Sequence, residues 1–161
     1  MRKEDILNHL AVMIGTGFGA GFTPKAPGTA GALLGTSMWF CGALLIQSKE
    51  LFLACLCITI VVFTILGTWA TARLIPFWGN DPSRVVVDEM VGVWVALLAA
   101  PIRSMFYGFI AFLLFRFFDI YKPLGIRKLD NNVGAFWVMA DDILAGLYSL
   151  IIVMIIRFYL I

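Results

Sequence analysis

Five carboxylates in a chain with few charges pose the first question. Asp88 and Glu89 stand side by side near the start of the apolar run "VVVDEMVGVWVALLAA". Asp119 lies in "FRFFDIYKPLGIRKLD", and Asp141 and Asp142 are neighbours in "MADDILAG". Clusters of carboxylate oxygens suit Mg²⁺ or Mn²⁺, which relieves their mutual repulsion and bridges to a phosphate. Lys25, Arg116 and Lys122 could supply the phosphate's counter-charge. The residue types therefore point to metal-assisted phosphoryl chemistry on a lipid headgroup.

Each feature also has a plainer reading. Arg84 precedes Asp88 by four residues, so the two could form a structural ion pair on one helix. An ionisable pair at the edge of an apolar span is more commonly functional, because its desolvation is expensive. Adjacent helical residues point about 100° apart, so Asp88 and Glu89 could line one cavity without touching. Either Asp141 or Asp142 could cap a final helix, and Asp130, Asn131 and Asn132 read as a turn. Arg127 and Lys128 read most simply as interfacial anchors.

The stretch "GTGFGAGFTPKAPGTAG", Gly15 to Gly31, holds six glycines, two prolines and Lys25. Glycines let backbone N–H groups approach a phosphate, and a helix starting near Thr29 would add its N-terminal dipole. A simple glycine-rich turn is the alternative. Gly15-x-Gly17-x-x-Ala20 follows no strand, which argues against a dinucleotide fingerprint. His9 is the sole histidine, which disfavours phosphohistidine chemistry. Neither a Cys-x5-Arg loop nor an Asp-x-Asp nucleophile motif is present.

The elements that must hold these groups are those of a membrane protein. Of 161 residues, 61% are hydrophobic and 14% charged, with mean hydropathy +0.96. Soluble domains carry roughly a quarter charged residues. A net charge of +2 without a basic, aromatic-laced patch excludes nucleic acid as a partner. Cys41, Cys55 and Cys57 fall inside apolar runs and read as packing residues. The first residues, "MRKEDILNHL", lack the core and cleavage site of a signal peptide.

Uncharged runs at Ala26–Ser48 and Leu51–Ala72 are long enough to span a bilayer, which takes about 20 residues. They should form a tight antiparallel hairpin. Met90–Ile102 and Ser104–Phe115 are shorter, and Ile143–Ile156 closes the chain. Ile6, Leu7, Leu10, Met13 and Ile14 fit an interfacial amphipathic helix. Five crossings would put Arg2, Lys3, Lys25, Arg73, Arg84, Arg116, Lys122, Arg127 and Lys128 on one side. Lys49, Arg103 and Arg157 would lie on the other. The positive-inside rule then makes the first side cytoplasmic, and every acid except Glu50 falls there. The expected fold is all-α, a single polytopic membrane domain over 1–161. It would have four to five membrane segments plus an N-terminal amphipathic helix.

Taken together, "GTGFGAGFTPKAPGTAG", "VVVDEMVGVWVALLA", "FRFFDIYKPLGIRKLD" and "MADDILAG" resemble the phosphatidylglycerophosphatase A family in order and spacing. The resemblance covers Gly15 to Gly146 and implies a bacterial inner-membrane, Mg²⁺-dependent lipid phosphatase. Such an enzyme converts phosphatidylglycerophosphate to phosphatidylglycerol at the cytoplasmic face. By position, the family's acidic motif falls on Asp88 and Glu89, the next block on Arg116, Asp119, Lys122 and Pro123, and the paired aspartates on Asp141 and Asp142. Its proline-glycine-threonine turn falls on Pro27, Gly28 and Thr29.

The expected roles follow. Asp88, Glu89, Asp119 and Asp142 are candidate catalytic residues, and these four with Asp141 are candidate metal ligands. Lys25, Gly28, Thr29, Arg116 and Lys122 are candidates for gripping the phosphate, with membrane lipids as surroundings. One departure stands out: "NNVGAFWVMADD" lacks the histidine-glycine-glycine stretch common in the family. A small ion or proton transporter using the acids as a relay is the rival reading, and a non-catalytic assembly partner is a third.

Overall fold

The computed structural model describes residues 3–80 and 82–160, leaving Met1, Arg2, Asp81 and Ile161 outside it, with no side-chain description of Lys3. The described residues form seven α-helices in order: α1 (Lys3–Gly15), α2 (Pro27–Leu45), α3 (Lys49–Trp78), α4 (Val87–Leu97), α5 (Met105–Tyr121), α6 (Ile126–Asp130) and α7 (Ala135–Leu160). A 3-10 turn, Ala20–Phe22, lies between α1 and α2. The described residues contain no strand.

Local signals explain the boundaries. Pro27 opens α2, where its missing N–H costs nothing. Ser48 caps α3, its hydroxyl accepting from the Leu51 amide at 3.2 Å. Ser104 occupies the same position before α5. That helix ends at Lys122, in the left-handed region at φ 48°, with Pro123 following.

Three helices, α2, α3 and α7, are long and apolar enough to cross a membrane. Their outer faces expose Leu33, Ile58, Val61, Ile65, Ile151 and Met154, as helices facing hydrocarbon do. The runs expected to supply two more crossings behave differently. The 11 residues of α4 reach about 16 Å, roughly half the hydrocarbon core. Its apolar run is interrupted by the turn at 98–104, before and after Pro101, and the helix is enclosed by protein on nearly every side. With 17 residues, α5 reaches about 26 Å, still short of the roughly 30 Å core.

The helix α4 is the axis of the bundle. It packs chiefly against α7 and α2, and also meets α3 and α5. Trp94 is buried in it, donating its indole N–H to the Gly35 carbonyl at 2.8 Å. This insertion splays the expected α2–α3 hairpin. The two helices touch near their turn, Trp39 against Phe52 at 6.1 Å, and α4 occupies the space beyond. Against α7, α4 comes to backbone distance. A Cβ on Gly92 would sit 2.7 Å from the Asp142 carbonyl, and one on Gly146 would run into the Gly92 carbonyl. Helices in lipid use small residues for such approaches.

Helix α1 lies along α3, where Arg73 reaches Asn8 at 2.9 Å and Glu4 at 3.3 Å. Its Ile6, Leu10 and Met13 remain exposed while Ala11 is buried, so one apolar face is free for an interface.

Candidate active site

The bundle brings four separated segments to one end. There a cavity of about 270 Å³ is lined by Pro27 and Gly28 of α2, Asp88 and Glu89 of α4, and Arg116 and Asp119 of α5. Lys122, Asp141 and Asp142 complete its charged wall. Asp88, Asp119, Asp141 and Asp142 are each at most 8% exposed, so their charges are answered by neighbours rather than by water.

Two kinds of neighbour do this. Asp119 accepts a close hydrogen bond from Arg116, one turn away on α5, and Arg116 also lies 4.0 Å from Glu89. Lys122 bonds closely to Asp141 and at 2.8 Å to Asp130. Burial by itself would lower the Lys122 pKa. The bonds to Asp130 and Asp141, with the charge of Asp142, outweigh it and hold the ammonium above its usual range. Lys122 is thus a fixed cation anchored on both sides.

The remaining acids meet one another. One oxygen from each of Asp88, Glu89 and Asp142 lies within 4.8 Å of the other two. Three carboxylates that close form an oxygen donor set suited to a hard divalent cation. The Glu89 Oε2 and Arg116 Nε atoms are buried without a hydrogen-bond partner among the described residues, which leaves them able to take an ion, a water or a substrate oxygen. The donor set therefore fits Mg²⁺ at this point, with Asp119 and Asp141 held by cations at its edge.

The opening of α2 forms the opposite wall. A Cβ on Gly28 would strike Glu89 Oε1 and stand 3.2 Å from an Arg116 guanidinium nitrogen. Only glycine lets the helix start approach this pair. By helix geometry the first amides of α2 have no internal acceptor, and no side chain caps them. They present donors and a positive dipole end to the cavity.

Of the residues singled out from sequence, Lys25 is exposed in the bend before α2, and neither it nor Thr29 lines the cavity. The capping reading of Asp141 and Asp142 fails, because α7 starts at Ala135 and both lie inside it. That start follows Gly134, at φ 122°, whose amide donates to Asn80 Oδ1 at 3.1 Å. Arg84 lies before α4 begins and stacks over Trp78 at 5.8 Å, so the four-residue helical spacing to Asp88 does not apply. Sequence reading passed over Asp130 as a turn residue. It anchors Lys122 from across the Pro123 bend, and no local pattern announces such a contact.

Comparison with known proteins places the chain in a family. The family model described as phosphatidylglycerophosphatase A matches residues 13–157. A Bacteroides thetaiotaomicron protein with the provisional name phosphatidylinositol-3-phosphatase is 51% identical over 152 residues, covering 93% of this chain and 95% of that one. Phosphatidylglycerophosphatase A of Haemophilus influenzae is 36% identical over 164 residues, 99% of this chain and 96% of the relative. Its Escherichia coli K12 namesake is 33% identical over 138 residues, 85% and 77% respectively. No solved structure matches at a significant level. The chain belongs to the phosphatidylglycerophosphatase A family.

Proposed function

We propose that this protein removes the terminal phosphate of phosphatidylglycerophosphate, giving phosphatidylglycerol and inorganic phosphate, at the cytoplasmic face of a bacterial inner membrane. The observation that carries the reading is the approach of Asp88, Glu89 and Asp142 within 4.8 Å, beside Arg116 and an uncapped helix start. Mg²⁺ would be held by those three carboxylates, with Asp119 and Asp141 at the edge. When bound it supplies Lewis acidity and charge neutralisation at a phosphoryl oxygen.

The chain's own groups do the rest. Arg116, oriented by Asp119, and the amide of Gly28 at the start of α2 grip the equatorial phosphate oxygens. Lys122, fixed by Asp130 and Asp141, adds a second cation, and exposed Lys25 meets the headgroup at the entrance. Hydrolysis breaks the bond from phosphorus to the terminal glycerol oxygen and makes one to a water oxygen. A carboxylate of the cluster takes the water's proton, and the glycerol oxygen gains one as it leaves.

Five membrane segments follow if α4, its turn and α5 together cross and return. The Arg103 side chain supports this by donating to the Ala43 carbonyl at 2.8 Å, which brings the α4–α5 turn to the far end of α2. An ion relay would distribute acids through the depth of the bundle, whereas these gather at one end.

The test is phosphate release by purified protein from phosphatidylglycerophosphate and from phosphatidylinositol 3-phosphate, in Mg²⁺ and in excess chelator. Mg²⁺-dependent release, faster from the first lipid, is expected. Release indifferent to chelator overturns the metal assignment, and preference for the inositol lipid overturns the substrate.

A further inference from the structure

An apolar groove of about 430 Å³ runs between α2 and α5, lined by α2 from Leu33 to Cys41 and by Met105, Gly108, Phe109 and Phe112 of α5. It lies on the same two helices that enter the charged cavity. Along α5, Phe109, Phe112, Arg116 and Asp119 fall at i, i+3, i+7 and i+10, one continuous face. Along α2, Leu33, Ser37 and Phe40 share a face at i, i+4 and i+7. The face of α5 that carries Arg116 and Asp119 therefore continues downward as one wall of the groove, starting about one turn below Arg116.

The lining suits an apolar occupant. Thr36 and Ser37, its hydroxyl-bearing residues, spend their hydroxyls on the Ala32 and Leu33 carbonyls, each at 2.9 Å. No charged side chain lines it. The eight-residue step from Leu33 to Cys41 spans about 12 Å, close to the roughly 15 Å depth of one leaflet's hydrocarbon.

We infer that this groove holds an acyl chain of the lipid whose headgroup phosphate occupies the charged cavity. The inference rests on the proposed lipid phosphatase reading and specifies its substrate as a long-chain glycerophospholipid. It is captured as one unit, head between α2 and α5 at the top and tail between them below. Burying the chain fixes the headgroup's depth and heading, so part of the binding free energy orients the phosphate.

The test uses phosphatidylglycerophosphate bearing a photoreactive palmitoyl chain, in phosphatidylcholine nanodiscs, together with kinetics on dipalmitoyl and dihexanoyl substrates. Labelling is expected to concentrate on Phe40, Phe109 and Phe112. Ser37→Phe, at an exposed position whose ring would fill the groove, should raise KM about tenfold for the dipalmitoyl substrate, with kcat nearly unchanged and the dihexanoyl KM unaffected. Val61→Phe, on the outer face of α3, should do neither. Labelling spread evenly over α3, or equal KM changes for both chain lengths, overturns the groove. So does a second copy of the chain covering it in cross-linked dimers. Concentrated labelling without any hydrolysis would support the groove and sink the phosphatase reading, which keeps the two failures separate.

Discussion

The two ends of the bundle each hold a charged cavity, and they differ in kind. The end bearing Asp88, Glu89 and Asp142 encloses about 270 Å³, with acids and bases interleaved and mostly buried. The other end encloses about 460 Å³ between the α2–α3 turn, the α4–α5 turn and the end of α7. Its charged lining is Lys49, Arg103 and Arg157, with Lys49 and Arg103 exposed and none in an ion pair among the described residues. Size alone would select the second. Physical cost selects the first: exposed cations near a bilayer surface snorkel cheaply, while buried carboxylates held together need a compensating ligand.

That contrast can be broken most sharply at its acidic end. Asp88→Asn should lower phosphate release by roughly 10³-fold while the protein stays folded and monodisperse, because one anionic donor and its share of the divalent cation's field disappear. Retention of most activity would remove the difference between the ends. Gly28→Ala should cost about 10²-fold in kcat/KM, since the added methyl must push Glu89 and Arg116 aside and misplacements near 1 Å carry such penalties. An equally large loss after a methyl at Gly42, where a Cβ comes no nearer than 3.4 Å to Phe52, would show that the effect is not local to the site. At the opposite end, Arg103→Gln should leave activity within about twofold. It should lower stability by about 1 kcal/mol, through loss of the bond to the Ala43 carbonyl. Thermal unfolding in detergent reads the second effect, and an activity loss comparable to that of Asp88→Asn would erase the distinction.

How much of this could be read from sequence depends on the range of each interaction. The runs around α2 and α3 were legible because hydropathy over twenty residues is a local property. So was the separation of Lys49, Arg103 and Arg157 from the site acids, since it follows from counting turns between apolar runs. The length of α4 was not legible. Nothing in "VVVDEMVGVWVALLAAPIR" distinguishes a core helix covered by protein from one bathed in lipid, because both are apolar all round. The start of α7 was misplaced for a related reason. "AFWVMA" is short and precedes two aspartates, so charge appeared to mark a boundary where the helix in fact continues through it. Among the candidate site residues, Arg116 and Asp119 are joined by helical spacing alone. The pairing of Lys122 with Asp130 and Asp141 depends on how the Pro123 bend folds back. The likeness of the four blocks to a known family located residues that spacing could not have joined.

The glycine contact between α4 and α7 has a mechanical side. Gly92 lies four residues beyond Asp88, and Gly146 four beyond Asp142, so the contact sits little more than a turn, about 6 Å, below the facing acids. The helices work as tweezers whose pivot is almost as close to the grip as a pivot can be. With so short an arm there is little leverage to amplify or absorb a displacement, and whatever separates the backbones at the pivot separates the jaws by nearly the same amount. The spacing of the carboxylate oxygens is therefore set by the absence of two methyl groups one turn away, as directly as by the acids themselves.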